Sequence, residues 1–152
     1  MPIESVLLPV GLDDSDRADR LVAEAVAVAG PTGATVSVLH VFTESGLDNA
    51  IDRLDFDRDG EGVTPEAVAR RLAYVQEVTS QLDDAGVDYE VLGAVGDAAE
   101  RITEVAEEID ADRILIGGRK RSPTGKAVFG STAQSVMLDA SCPVTFVRSD
   151  DR

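Results

Sequence analysis

Val6-Leu7-Leu8-Pro9-Val10 is a short uninterrupted apolar run, the pattern of a strand buried on both faces. The segment Gly11 to Ser15 follows as a loop, with Asp13, Asp14 and Ser15 as candidate helix N-caps. Ala18, Leu21, Val22, Ala25 and Ala29 then recur at helical spacing, and Gly30-Pro31 predicts the end of that helix. Thr35 to Phe42, rich in valine, predicts a second strand.

Residues 43–63 break the pattern. Asp48, Asp52, Asp55, Asp57, Asp59 and Glu61 stand there with Gly60 and Gly62, which predicts a loop with at most a helical turn near Asn49 to Leu54. Thr64-Pro65 reads as N-cap and first residue of a long helix whose buried stripe is Val68, Leu72, Val75, Thr79 and Leu82. Gly86 predicts its terminus. Val87, Tyr89 and Val91 alternate with Asp88 and Glu90, as in a strand near a sheet edge. Asp97-Ala-Ala-Glu100 has the form of a capping box and opens a helix that buries Ala98, Ile102, Val105 and Ile109. Arg113-Ile114-Leu115-Ile116 predicts a fourth buried strand running into Gly117-Gly118. A helix over Ser131 to Asp139 and a last strand over Val144 to Val147 complete the chain.

The order is β-α-β-α-β-α-β-α-β. Such alternation predicts a parallel sheet with helices on both faces, in one domain over residues 1–152. No stretch approaches the roughly 18 consecutive apolar residues of a membrane span. Met1-Pro2-Ile3-Glu4 has no basic n-region, so no signal peptide is predicted. The single cysteine, Cys142, excludes an internal disulfide, and the single histidine, His40, excludes a multi-histidine metal centre. These features predict a cytoplasmic protein.

Charge changes the picture twice. The net charge is −15, and only Lys120 and Lys126 are lysines. That composition resembles proteins of salt-in halophiles, where the Debye length falls to about 3 Å at 1 M salt. It argues against a nucleic-acid partner, since such proteins are usually basic. The charge is also uneven: residues 113–148 carry +5 and the remainder −20. Arg119, Lys120, Arg121 and Lys126 concentrate the positive charge where an anion would be welcome.

In an open parallel sheet, ligands sit beyond the C-terminal strand ends where strand order reverses, so the loops after strands one and four are the candidates. The latter begins at Gly117-Gly118 and ends at Gly130-Ser131-Thr132. A glycine directly after a strand allows close backbone approach. Gly130-Ser131-Thr132 offers free N–H groups, hydroxyls and a positive dipole end. Together with the basic run, these suit a phosphate.

This stretch resembles the nucleotide loop of the universal stress protein family, whose ATP-binding members show G-x-x-G, nine residues, then G-[S/T]. Gly117 matches the first glycine and Gly130-Ser131 the last pair, while Lys120 stands at the second glycine. Val6 to Val10, Val38-Leu39-His40-Val41, Gly96-Asp97-Ala98-Ala99-Glu100 and Ala140-Ser141-Cys142-Pro143-Val144 resemble further family segments. The resemblance covers the chain apart from residues 43–63.

It implies a flavodoxin-like or Rossmann-like fold of the adenine nucleotide alpha hydrolase-like kind, with strand order 3-2-1-4-5. It also implies a homodimer through Val144 to Val147, and ATP or another adenine nucleotide as ligand, with or without Mg2+. Val41 would then offer backbone to the adenine, and Pro9, Val10 and Gly11 would wall the base or ribose. Gly117 and Gly118 would let the phosphates lie on the chain, and Gly130, Ser131 and Thr132 would hold them. Arg119, Lys120, Arg121 and Lys126 would add charge, a feature specific to this sequence.

Nucleotide-binding members carry Asp two residues after the first-strand proline, where this chain has Gly11. Asp13 or Asp14 are the substitutes at hand. Three functions remain open: a nucleotide-binding stress-response regulator acting by conformation and partner choice, a member without nucleotide acting as a dimeric scaffold for an unknown protein partner, and, as the least supported, an ATPase or phosphotransferase. No base or nucleophile is placed for efficient turnover, so at most slow ATP hydrolysis is expected.

Other motifs have plainer readings. Thr124-Gly125-Lys126-Ala127 lacks the hydroxyl residue and glycine spacing of a P-loop. His40 reads as a core or strand-end histidine, and Cys142 as a small buried residue. Asp55, Asp57, Asp59, Gly60 and Glu66 match an EF-hand loop by spacing, but Pro65 and the missing entering helix do not, so no metal is assigned.

Overall fold

The computed structural model describes residues 2–56, 63–118 and 130–148, without the side chains of Asp13, Ser15 and Asp16. Its strands are β1 (Ser5–Pro9), β2 (Thr35–Phe42), β3 (Tyr89–Val95), β4 (Arg113–Gly118) and β5 (Val144–Arg148). The helices are α1 (Ala18–Thr32), α2 (Glu44–Arg53), α3 (Pro65–Arg70), α4 (Ala73–Asp84), α5 (Ala98–Glu108) and α6 (Ser131–Asp139), and a 3-10 turn spans Leu12–Arg17. The five strands are all parallel, in the expected order β3-β2-β1-β4-β5.

Side-chain alternation divides the core in two. Val6 and Leu8 of β1, and Val10 just after it, face one layer with Leu21 and Ala25 of α1 and Val75, Val78 and Leu82 of α4. Leu7, Leu39, Ile114 and Ile116 face the other, with Ile102 and Val105 of α5 and Ala133 and Val136 of α6. The chain winds outward from β1 to β3 beneath α1 to α4. It then returns through α5 on the opposite face to β4 and on to β5. Strand order therefore reverses between β1 and β4.

Three local expectations are corrected. Helix α1 runs through Pro31 to Thr32 and ends at Gly33, whose left-handed backbone (φ 73) turns its N–H onto the Ala29 carbonyl at 2.9 Å. Pro31 sits in the last turn, where the missing N–H costs one bond, and the left-handed glycine rather than the proline stops the helix. The acidic stretch after β2 contains a ten-residue helix, α2, capped by Thr43, whose Oγ1 accepts the Gly46 N–H at 2.9 Å. Its acids read as loop because Glu44, Asp48 and Asp52 line the exposed face while Ala50 and Ile51 anchor the buried one.

The long helix after Thr64 is two helices, broken at Leu72, where the backbone is extended (ψ 135). α3 is seated by its first residues: the backbone of Pro65 and Glu66 occupies the place a side chain on Gly93 would take, and Glu66 Oε2 accepts the Gly93 N–H at 3.2 Å. The chain must bend to lay α4 against α1. Restarting the helix moves the buried stripe from Thr79 to Val78, which is fully buried.

Candidate functional site

The crevice beyond the C-terminal ends of β1 and β4 is the switch point of the sheet. Pro9 and Val10 are buried there, and the Val10 N–H donates to the Leu39 carbonyl at 2.8 Å. Gly11 follows in an extended conformation (φ −127, ψ 177), and its N–H donates to Asp14 Oδ2 at 2.8 Å. The other carboxylate oxygen, Oδ1, accepts from Arg17 Nε at 2.7 Å. This ion pair is buried: the side chains of Arg17 and Asp14 are 9% and 13% exposed.

Gly117 explains how the pair fits. A Cβ on Gly117 would lie 2.6 Å from both Arg17 Nε and Asp14 Oδ1. That face of Gly117 therefore holds this pair. Gly118 points to the opposite face, where the Phe146 ring takes the place of its missing side chain. Gly118 thus has a packing reason to be glycine.

Gly130 is the N-cap of α6, extended (φ −66, ψ 159), and among the described residues no side chain caps that helix. Among the described residues, no atom lies within 4 Å of where its Cβ would be. Ser131, exposed, and Thr132, half-buried, are the first helical residues. Val41 lies near the end of β2, with its side chain in the α5 and α6 layer. Of the expected site residues, Pro9, Val10, Gly11 and Gly117 therefore meet at the switch point, and Gly130, Ser131 and Thr132 form the start of the next helix. The side chain of Asp13, and all of Arg119, Lys120, Arg121 and Lys126, lie outside the described residues. Arg17 is the member that sequence reading overlooked; its signal was an Asp and an Arg three positions apart, a spacing at which helical side chains meet.

His40 supports the same strand ends. Its Nδ1 lies 2.8 Å from the Val10 carbonyl oxygen, which can only accept, so Nδ1 carries the proton. Nε2 then accepts from the Tyr74 hydroxyl at 3.4 Å. Burial holds the imidazole below its ordinary pKa, against the opposing pull of the Val10 carbonyl and the Asp14 charge. Burial pushes the Tyr74 hydroxyl up. His40 is thus a neutral strand-end histidine, as expected. Cys142 is half-buried rather than fully buried, because it lies in the turn before edge strand β5; burial and the charge of Asp112 raise its thiol pKa.

Among the described residues, no group of three or more His, Cys, Asp or Glu could hold a metal ion. Of the EF-hand-like set, Asp57, Asp59 and Gly60 lie outside the described residues. No described helix is long and apolar enough to cross a membrane.

Comparison with known proteins places these features in a family. The universal stress protein family model matches residues 7–148. A universal stress protein of Thermus aquaticus is 35% identical over 138 residues, covering 90% of this chain and 93% of its own length. The solved structure of a universal stress protein from Archaeoglobus fulgidus is 27% identical, with a TM-score of 0.66, over 95% of this chain and 98% of that one. Two more distant structures share the fold. One from Archaeoglobus fulgidus in complex with dAMP is 22% identical, with a TM-score of 0.61, over 97% of this chain and 99% of that one. One from Arabidopsis thaliana with AMP bound is 15% identical, with a TM-score of 0.64, over 97% and 93%. The matched residues run from β1 to the end of β5, and the chain belongs to the universal stress protein family.

Proposed function

We propose that this protein binds an adenine nucleotide at the C-terminal ends of β1 and β4 and works as a stress-response regulator. The observation that carries this reading is the α6 N-terminus: its cap is a bare glycine, so among the described residues no N-cap side chain accepts its first-turn N–H groups, and the helix follows β4 at the switch point. Relatives of the same fold with dAMP and AMP add support. Pro9, Val10 and Gly11 wall the base or ribose, and the Val41 backbone faces the adenine. The Gly117-Gly118 backbone with Gly130, Ser131 and Thr132 receives the phosphates, and Asp13, Arg119 and Lys120 complete the set. ATP, with Mg2+ on its phosphates, is the leading ligand.

The protein acts through shape and partner choice, with at most slow hydrolysis. It does so as a single-domain cytoplasmic protein and as a homodimer through β5. That strand supports the dimer because it is a sheet edge presenting half-buried Val144 and Phe146.

A second reading, a scaffold without nucleotide, is favoured by one observation: the Asp14–Arg17 pair fills the face of Gly117. Titration of the purified protein with ATP and AMP by calorimetry, in molar KCl with Mg2+, separates the two. Gly130→Asp is the control, since its carboxylate would cap α6 and repel phosphate. Micromolar binding lost in the control supports the nucleotide regulator. No heat up to millimolar nucleotide overturns it and leaves the scaffold.

A further inference from the structure

The pairing of β1 with β2 stops one rung early, at a side chain. Residues of β2 alternate in the neighbour they bond. The Thr35 N–H donates to the Glu4 carbonyl on the β1 side, and the Val36 N–H donates to the Asp88 carbonyl on the β3 side. By that alternation Val41 turns its N–H and C=O toward the β1 side. Val10 stands opposite His40, one position beyond the Pro9–Leu39 pair that ends the register. Its N–H donates to the Leu39 carbonyl at 2.8 Å, as a parallel rung requires. The next rung would run from the Val41 N–H to the Val10 carbonyl. Among the described residues that rung is not formed: the pairing ends at Pro9, and the Val10 carbonyl accepts from His40 Nδ1 at 2.8 Å.

Beyond Val10 the first strand leaves the sheet. The Gly11 N–H donates to Asp14 Oδ2, and the Leu12–Arg17 turn follows. β2 continues to Phe42, so Val41, half-buried, carries its N–H and C=O past the end of β1. The imidazole that ends the ladder is itself fixed. The Phe42 ring meets it edge-on at 4.4 Å between centroids, and the Tyr74 hydroxyl donates to Nε2 at 3.4 Å. With Nε2 accepting, Nδ1–H is the donor that remains, and it points at β1.

We infer that His40 is a positioning residue for the candidate site: its Nδ1–H takes the Val10 carbonyl and so keeps the Val41 N–H out of the sheet, turned to a ligand. This inference rests on the nucleotide reading given above, in which the Val41 backbone faces the adenine. Without that donor, the buried Val10 carbonyl needs another partner, and the Val41 N–H is the one the ladder supplies. The rung then closes and the base loses its donor.

The experiment joins amide hydrogen exchange at Val41, read by NMR on the full chain, to calorimetry with AMP and adenosine. Wild type is compared with His40→Leu, which removes the donor, and with His40→Asn, whose amide N–H stands near the Nδ1 position. His40→Gln, whose longer side chain carries its amide toward the Nε2 position, replaces His40→Leu if that variant does not fold. In wild type without ligand, Val41 should exchange about tenfold or more faster than Leu39, which lies inside the ladder. In His40→Leu the Val41 exchange should slow, and AMP and adenosine should lose affinity by the same factor, about tenfold. His40→Asn should restore fast exchange and both affinities. Val41 exchange as slow as that of Leu39 in wild type overturns the inference, as does an adenosine affinity that His40→Leu leaves unchanged. An equal loss in His40→Asn also overturns it and leaves His40 a packing residue. If wild type binds neither AMP nor adenosine, the nucleotide reading fails and the positioning role fails with it, whatever the exchange rates.

Discussion

His40 Nδ1 donates to the carbonyl oxygen of Val10 at 2.8 Å, tying the end of β1 to β2 beneath the candidate site. The bond needs Nδ1–H, and burial disfavours a second proton, so the folded pKa lies below the ordinary 6.5. The unfolded chain then binds the proton more readily. The contribution of neutral His40 is complete above about pH 6.5 and is lost as pH falls from there through the folded pKa. Denaturant midpoints of wild type and His40→Gln, followed from pH 8 to 5, should converge as pH falls; a gap that stays constant or widens would refute this account.

Three glycines should rank by what a side chain would strike. On Gly93 it meets the Pro65 and Glu66 backbone, which cannot step aside without moving α3. On Gly118 it meets the far end of the Phe146 ring, on an edge strand that can swing outward. On Gly130 it meets no described atom, and the backbone is one any residue adopts. Overpacking typically costs about 1–3 kcal/mol. Gly93→Ala should reach or exceed the top of that range, Gly118→Ala should fall within it, and Gly130→Ala should be near neutral. Urea unfolding gives the order, and a Gly118→Ala cost above that of Gly93→Ala would contradict it.

Helix caps offer a local test. Asp97 Oδ2 accepts the Glu100 N–H at 3.1 Å and Thr64 Oγ1 accepts the Ala67 N–H at 3.1 Å. Replacing either by Ala should cost about 1 kcal/mol, the usual loss for an N-cap side chain. The loss is read as a lowered urea midpoint with an unchanged slope.

Salt should stabilise the fold. With a net charge of −15 the compact state repels itself, and that repulsion is screened beyond about 3 Å at 1 M salt. The thermal midpoint should rise between 0.1 M and 2 M KCl. A comparable rise in 0.1 M KCl on replacing several exposed acids of α2, α4 and α5 by their amides would identify charge screening as the cause. No rise on amide replacement would point to general salting-out instead.

Much of this was legible in the chain. Five strands, their order, the caps at Thr64 and Asp97, the left-handed Gly86 and the loops at the switch point follow from patterns or from the family resemblance. The errors have specific causes. Acid density hid α2, because a solvated helical face and a loop have the same composition. Pro31 looks like a stop because proline breaks helix interiors, but in the last turn it is tolerated and the left-handed Gly33 ends the helix. The break at Leu72 was hidden because Val68, Leu72 and Val75 are buried, as a continuous stripe requires, while the packing of α3 on β3 and of α4 on α1 is tertiary.

By itself, the sequence determined what depends on neighbours within about four positions: which segments are strands or helices, where most helices start and which face of each is apolar. The tertiary structure decided which glycines are filled and by what. Gly117 is covered by Asp14 and Arg17, Gly118 by Phe146 and Gly93 by Pro65 and Glu66. Each contact joins residues far apart along the chain, and each depends on the direction a missing side chain would have pointed. That direction exists only once strand register and the packing of turn and helix onto the sheet have chosen it.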